Sequence, residues 1–329
     1  NFVRDTLEKV LRLSEILNYL NTNPLTKEYL VLKGGTAINL TVFNLPRLSV
    51  DIDLDFAQNL SRDDMMSTRE RIREDIKIYM STQGYAISPR SKAYHSLDSF
   101  VFTYTNLGGM NDNIKIEINY SLRAHIFEPS LRKIWVLGVN SDALIKTLPP
   151  MELYAAKINA LIGRAAARDL YDIHNMINFG LFDESEYPLL RKCVVFYTAI
   201  SQDEIPDEYD FKRFNAITNR KIKTDLLPVI QKGEFFELEN VKITVAEFLK
   251  ELLVLEDNER KFLDEFKAKN PDKNYNIVID IQGENDVATR VLNDVENAAD
   301  VYSCLNDQLS KLINGDALAR IAGDRLTRV

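Results

Sequence analysis

The sequence predicts an α+β fold, a mixed sheet with flanking helices, followed by an all-helical C-terminal half. Three observations carry the prediction. Residues 85–120 alternate apolar and polar side chains with the period of a strand. Residues 48–56 do the same with acids between the aliphatic positions. Beyond the Pro149-Pro150 pair, apolar residues recur at helical spacing instead. The division gives a core region over residues 1–148 and a helical region over residues 149–329.

The elements follow in order. Val3, Leu7, Val10, Leu11, Leu17 and Leu20 lie on one face of a helix that closes at residues 21–24. A short apolar run at 29–32 leads into Lys33-Gly34-Gly35-Thr36, and a short helix is expected over 37–43. A half-buried strand over 48–56 follows Pro46. Ser61, with Asp64 three residues on, opens a long charged helix that Gly84 ends. Strands are expected at 86–88, 99–105 and 113–120, the last two joined by a turn at Gly108-Gly109 and 111–113, and 131–139 supplies an edge strand. Pro150 suits a first helical turn ahead of the Ala- and Leu-rich stretch 151–162. The acidic stretch 203–210 reads as a linker, residues 241–266 and 289–321 as helical, and 270–273 as a turn.

Composition narrows the function. The 329 residues are 45% hydrophobic and 27% charged, which is enough apolar material for a real core. A net charge of −8 argues against a general nucleic-acid coat and leaves room only for a local basic groove. Two cysteines, Cys193 and Cys304, exclude a disulfide framework and a Cys-rich zinc fold. His95, His125 and His174 have no partner at zinc-ligand spacing. With no export signal and no apolar run of about 18 residues, a cytoplasmic protein without a membrane span is expected.

Asp51, Asp53 and Asp55 occupy every second position. On a strand their carboxylates share a face, with Val50, Ile52 and Leu54 turned to the core. Like charges so placed repel unless a cation sits among them. A solvated edge strand would also tolerate them. A calcium loop would not fit, because its sixth and twelfth positions hold Phe56 and Arg62 instead of Gly and Glu. A two-magnesium phosphoryl-transfer site fits better. A further carboxylate, Glu117, stands between apolar neighbours in 114–118, where it could instead pair with Lys115 or Arg47. Gly34-Gly35-Thr36, ahead of a short helix, allows close approach of a phosphate, although Gly-Gly pairs are commonly plain turns. On a continuous helix, Arg164 and Arg168 fall about 20° either side of Lys157, with Asp172 about 60° round. That would make a stripe of three cations, and Gly163 is the residue that would break it.

Lys33-Gly34-Gly35-Thr36-Ala37 followed by Arg47-Leu48-Ser49-Val50-Asp51-Ile52-Asp53-Leu54 resembles the signature of the AbiEii-type nucleotidyltransferase toxins, members of the DNA polymerase β-like nucleotidyltransferase superfamily. The resemblance continues through 115–118 and from Glu152 to Asp172, and weakly through 252–266. It implies a polymerase β-like core and a metal-dependent transfer of a nucleotide from an NTP. In several members the acceptor is the 3′ end of tRNA, and a cognate antitoxin neutralises the toxin. By resemblance, Asp51, Asp53 and Glu117 hold Mg²⁺, two ions being expected, with Glu117 alternatively activating the incoming hydroxyl. Gly35 and Thr36 contact the triphosphate and Lys157 its phosphates. Lys33, Gly34, Arg47, Ser49, Arg164, Arg168, Asp169 and Asp172 complete the nucleotide site. Arg191, Lys192, Lys212, Arg213, Arg220, Lys221 and Lys223 offer a track for RNA phosphates or plain solvated helix faces. A protein or small-molecule acceptor, and a catalytically silent module that binds nucleotide or antitoxin, are the competing readings.

Overall fold

The computed structural model describes residues 2–43, 45–123, 125–136, 139–200 and 205–269. Helix α1 (Arg4–Thr22) and the short α2 (Pro24–Tyr29) lead into β1 (Leu30–Lys33). Helix α3 (Gly34–Ala37) runs on as a π turn over Ile38–Val42, so the helix expected at 37–43 starts at the glycines. Strand β2 (Asp51–Phe56) follows, then α4 (Arg62–Thr82), β3 (Ala86–Ile87), β4 (Lys92–Ala93), β5 (Leu97–Thr105), β6 (Asn111–Asn119), β7 (Ser130–Val136) and β8 (Val139–Thr147). The helices after Pro149 are α5 (Pro150–Arg164), α6 (Ala167–Asn178), α7 (Tyr187–Ile200), α8 (Asn219–Lys221, extended by a π turn), α9 (Leu238–Leu252) and α10 (Asp257–Lys269). Strands β4 and β8 were not expected from sequence. The single helix expected at 241–266 is two, α9 and α10. The expected turn at 270–273 and helix at 289–321 lie outside the described residues.

The strands form one mixed sheet in the order β3-β5-β6-β2-β1-β8-β7, with β4 paired to β5. β2 runs antiparallel to β1 and parallel to β6, and β1 runs parallel to β8. The acidic strand is therefore central, with a hydrogen-bonded neighbour on each side. Its aliphatic positions Ile52 and Leu54 are buried, as are Ile114, Ile116 and Ile118 of β6. Buried Leu13, Leu17, Ile72 and Ile76 of α1 and α4 belong to the same core. The Ser61 cap forms as its sequence predicts, its hydroxyl accepting a hydrogen bond from the Asp64 amide at 3.2 Å.

Helices α5 and α6 are not continuous. Ala165 takes a left-handed conformation (φ 48°) and α6 restarts at Ala167, so the break falls two residues beyond Gly163. The break has a consequence for the side chains on either side. Lys157 and Asp169, twelve positions apart, would stand about 18 Å from each other along one straight helix. The break folds Asp169 back to 2.9 Å from the Lys157 ammonium.

Candidate active site

Strand register assembles the carboxylates. Asp53 pairs laterally with Lys33 on β1 and with Glu117 on β6, so those three side chains form a row across one face. Asp51, one step along, lies beside Lys115. Asp51, Asp53 and Glu117 are half-buried. Asp55 shares their alternation but is fully buried and ion-paired to Lys33 Nζ at 2.5 Å. A solvated edge strand does not describe this segment. Glu117 pairs with Lys115 Nζ at 2.8 Å, the partner that sequence alone offered as its plain structural role.

The glycine loop lies directly over this row. A Cβ at Gly34, which has φ +70°, would stand 2.5 Å from Asp53 Oδ2. One at Gly35 would stand 2.7 Å from Arg47 Nη2 and 3.2 Å from Ser49 Oγ. The loop backbone thus touches both the acid row and the guanidinium beneath it, at a distance only glycine permits. Thr36 is buried, and its hydroxyl is bonded to Ser49 Oγ at 2.9 Å and to the Asp51 carbonyl, which fastens the loop to the start of β2. Asn39, which sequence did not single out, donates to the Gly35 carbonyl at 2.8 Å and accepts from the Arg47 amide.

A chain of ion pairs closes the site from the helical side. Arg47 Nε and Nη2 grip Asp172 at 2.7 and 2.6 Å, and the two side chains are only 2% and 1% exposed. Lys157 Nζ reaches Asp169 at 2.9 Å and Asp172 at 3.2 Å. Arg164 closes on Asp169 at 2.7 and 3.0 Å while its side chain stays 64% exposed. Arg168 leaves the group, donating to the Asp225 carbonyl at 2.8 Å. The three-cation stripe therefore does not form: the helix break turns Lys157 and Arg164 onto one shared aspartate, Asp169, and sends Arg168 elsewhere. Arg47, expected in the nucleotide site, is buried, with its guanidinium bonded to Asp172 and to the Leu48 carbonyl.

Burial holds Asp53 above its ordinary carboxylate range; Lys33 and Lys157 pull it down, while Asp51 and Glu117 push it up. Asp169 moves the other way, because Lys157 and Arg164 outweigh its burial. Among the described residues, no three His, Cys, Asp or Glu side chains converge into a ready metal cage. The donor chemistry still fits a hard divalent cation: Asp51, Asp53 and Glu117 offer only oxygen ligands, and Asp53 is burdened by burial with the like charges of Asp51 and Glu117 nearby.

Of the basic residues proposed for an RNA track, Arg191 and Lys192 pair with Glu256 and Glu259 and fasten α7 to α10. Lys212 pairs with Asp210, and Arg213 donates to the Gly163 carbonyl. His174 sits beside Asn178 on the exposed side of α6, within 3.2 Å of its amide. No described helix is long and apolar enough to cross a membrane.

The fold is similar to MenT4, a nucleotidyltransferase toxin from Mycobacterium tuberculosis H37Rv, with TM-score 0.59 and 16% identity over 91% of this chain and 95% of that one. A weaker likeness, TM-score 0.47 and 16% identity, is to JHP933 from Helicobacter pylori, over 82% of this chain and 98% of that one. No curated protein matches. The model of the family described as "Nucleotidyl transferase AbiEii toxin, Type IV TA system" matches residues 15–287. The chain, with its glycine loop set over a central strand of aspartates, belongs to the AbiEii family of nucleotidyltransferase toxins.

Proposed function

We propose that this toxin transfers a nucleotide from an NTP to an RNA acceptor, the 3′ end of tRNA being the acceptor of choice, and that the reaction depends on Mg²⁺. The observation that carries the reading is the acid row beneath the glycine loop. Asp51, Asp53 and Glu117 stand on adjacent strands with Asp53 held above its usual range. A bound cation would offset both the burial of that charge and its repulsion from Asp51 and Glu117. Asp51, Asp53 and Glu117 would hold two Mg²⁺ ions, which would neutralise charge developing on the triphosphate. The other parts come from the chain itself. Gly34 and Gly35 let the loop backbone approach the triphosphate, and Lys33 sits beside the row. Lys157 and Arg164 present positive charge from the helical side, aimed by Asp169 and Asp172. Arg47 and Ser49 brace the loop from below. An acceptor hydroxyl then attacks the α-phosphorus in line and pyrophosphate leaves.

The domain reading follows the same lines, a catalytic core over residues 1–148 and a helical domain from 149. A cytoplasmic protein paired with a cognate antitoxin suits an RNA target. The test uses α-³²P-labelled NTPs with total RNA, lysate protein and small acceptors in parallel. Label should enter RNA with the parent protein and vanish with Asp53→Asn at unchanged fold. Undiminished labelling by Asp53→Asn would refute the metal role, and label entering only protein or small acceptors would refute the RNA acceptor.

A further inference from the structure

Residues 218–236 are fastened at three places to the loop that enters β2 and to α6. The Leu48 amide donates to the Val229 carbonyl at 2.7 Å beside an antiparallel bridge between Arg47 and Ile230. Arg168 Nε donates to the Asp225 carbonyl. The Tyr171 hydroxyl lies 2.7 Å from Glu234 Oε1 and 3.0 Å from the Pro46 carbonyl, and its ring packs on Phe236 at 5.9 Å between centroids. The stretch is therefore pinned to the loop that enters the acid strand and to the helix that carries Asp169 and Asp172.

Arg220, Lys221, Lys223 and Lys232 are exposed, and among the described residues none of them makes an ion pair. The two acids of the stretch are occupied, Asp225 by the Thr224 hydroxyl at 2.7 Å and Glu234 by Tyr171. Phe235, between two anchored residues, is 88% exposed. Unpaired exposed cations and an exposed aromatic ring on one anchored stretch match what single-stranded nucleic acid needs: charge for the phosphates and a face on which a base stacks. In a protein of net charge −8, this stretch carries four cations against two acids.

We infer that residues 218–236 bind the acceptor strand, with Arg220, Lys221, Lys223 and Lys232 holding its phosphates and Phe235 stacking on one base. This rests on the RNA-acceptor reading above. An acidic protein would be drawn to the cations but would not need the stacking face, so the two parts of the surface separate the partners.

The test uses the full chain, a fluorescein-labelled single-stranded oligoribonucleotide and fluorescence anisotropy over a salt series, alongside nucleotide transfer to total tRNA. Phe235→Ala should weaken RNA binding about five-fold or more with an unchanged salt slope, and Phe235→Trp should restore it. Combined Arg220→Gln, Lys221→Gln and Lys223→Gln should flatten the slope by about 0.7 for each phosphate no longer neutralised. In both variants KM for RNA rises while KM for NTP stays at the parent value. If the parent labels RNA and the variants bind and use it equally well, the surface is wrong and the acceptor reading stands. If Phe235→Ala is silent and only the charge variant loses affinity, the base-stacking assignment falls. If the parent labels protein or small molecules and no RNA, the acceptor reading falls and this surface falls with it.

Discussion

The Arg47–Asp172 pair offers the sharpest test of how the two halves of the site are joined. Asp172→Asn keeps the size of the side chain and removes its charge. Arg47 would keep its positive charge at a position 2% exposed, with two short hydrogen bonds weakened and only the Leu48 carbonyl unchanged. Lys157 would lose one of its two acids. Breaking one side of a buried pair costs about 3–5 kcal/mol, because the remaining charge stays desolvated. At about 2–4 °C per kcal/mol for domains of 150–250 residues, melting should fall by roughly 6–20 °C. The assay is urea unfolding at constant slope, which reads stability directly. Replacing both partners, Arg47→Met with Asp172→Leu, should cost less than Asp172→Asn alone, because no orphan guanidinium remains. A cost below about 1 kcal/mol for Asp172→Asn, or a double variant as poor as the sum of its singles, would refute the reasoning.

Three further outcomes follow from the geometry. Gly35→Ala places a methyl 2.7 Å from an Arg47 that Asp172 holds fast, so it should cost about 1–3 kcal/mol by denaturation and lower transfer activity. Asp53 has a folded pKa above its unfolded value, so the folded state binds more protons between the two values. Stability from this group is thus greatest below the unfolded value and falls as pH rises through the folded one. Asp53→Asn should therefore gain stability over the parent at pH 7.5 and show no gain near pH 3, as read by calorimetric melts without divalent ions. His125 is lowered by burial but raised more by Glu152 and Asp55, and stands above its ordinary value. Its contribution is complete below about 6.5 and disappears as pH rises through the folded value. Between pH 6 and 8, His125→Gln should lose less stability than the parent; equal losses would contradict the assignment.

Much of the site was legible because it is local. Alternation at Asp51, Asp53 and Asp55, the glycine pair before them and the Ser61 cap each depend on residues close in the chain, and each is found where its spacing placed it. What was hidden depends on distant partners. Ala165-Ala166 carries no breaking residue, and alanine favours a helix; the turn there goes with the reach of Lys157 to Asp169 and Asp172, which the sequence does not display. Arg47 reads as a cation near a phosphate loop until Asp172, 125 residues away, claims it. Arg191 and Lys192 resemble a basic patch until α10 delivers Glu256 and Glu259. Strand β8 contains Asn140, Ser141 and Asp142, a poor strand sequence, and is held by pairing with both β1 and β7. Phe235 gave no periodic signal, and its exposure appears only once Glu234 and Phe236 are seen to anchor its neighbours.

Diffraction from crystals soaked with Mn²⁺ and a non-hydrolysable NTP analogue, with anomalous maps at the manganese edge, tests the cation site directly. Peaks should lie between Asp51 and Asp53 under the glycine loop, with Glu117 released from Lys115 and turned toward the metal. Manganese bound elsewhere, with Glu117 still on Lys115 and the triphosphate away from Asp53, would contradict the account.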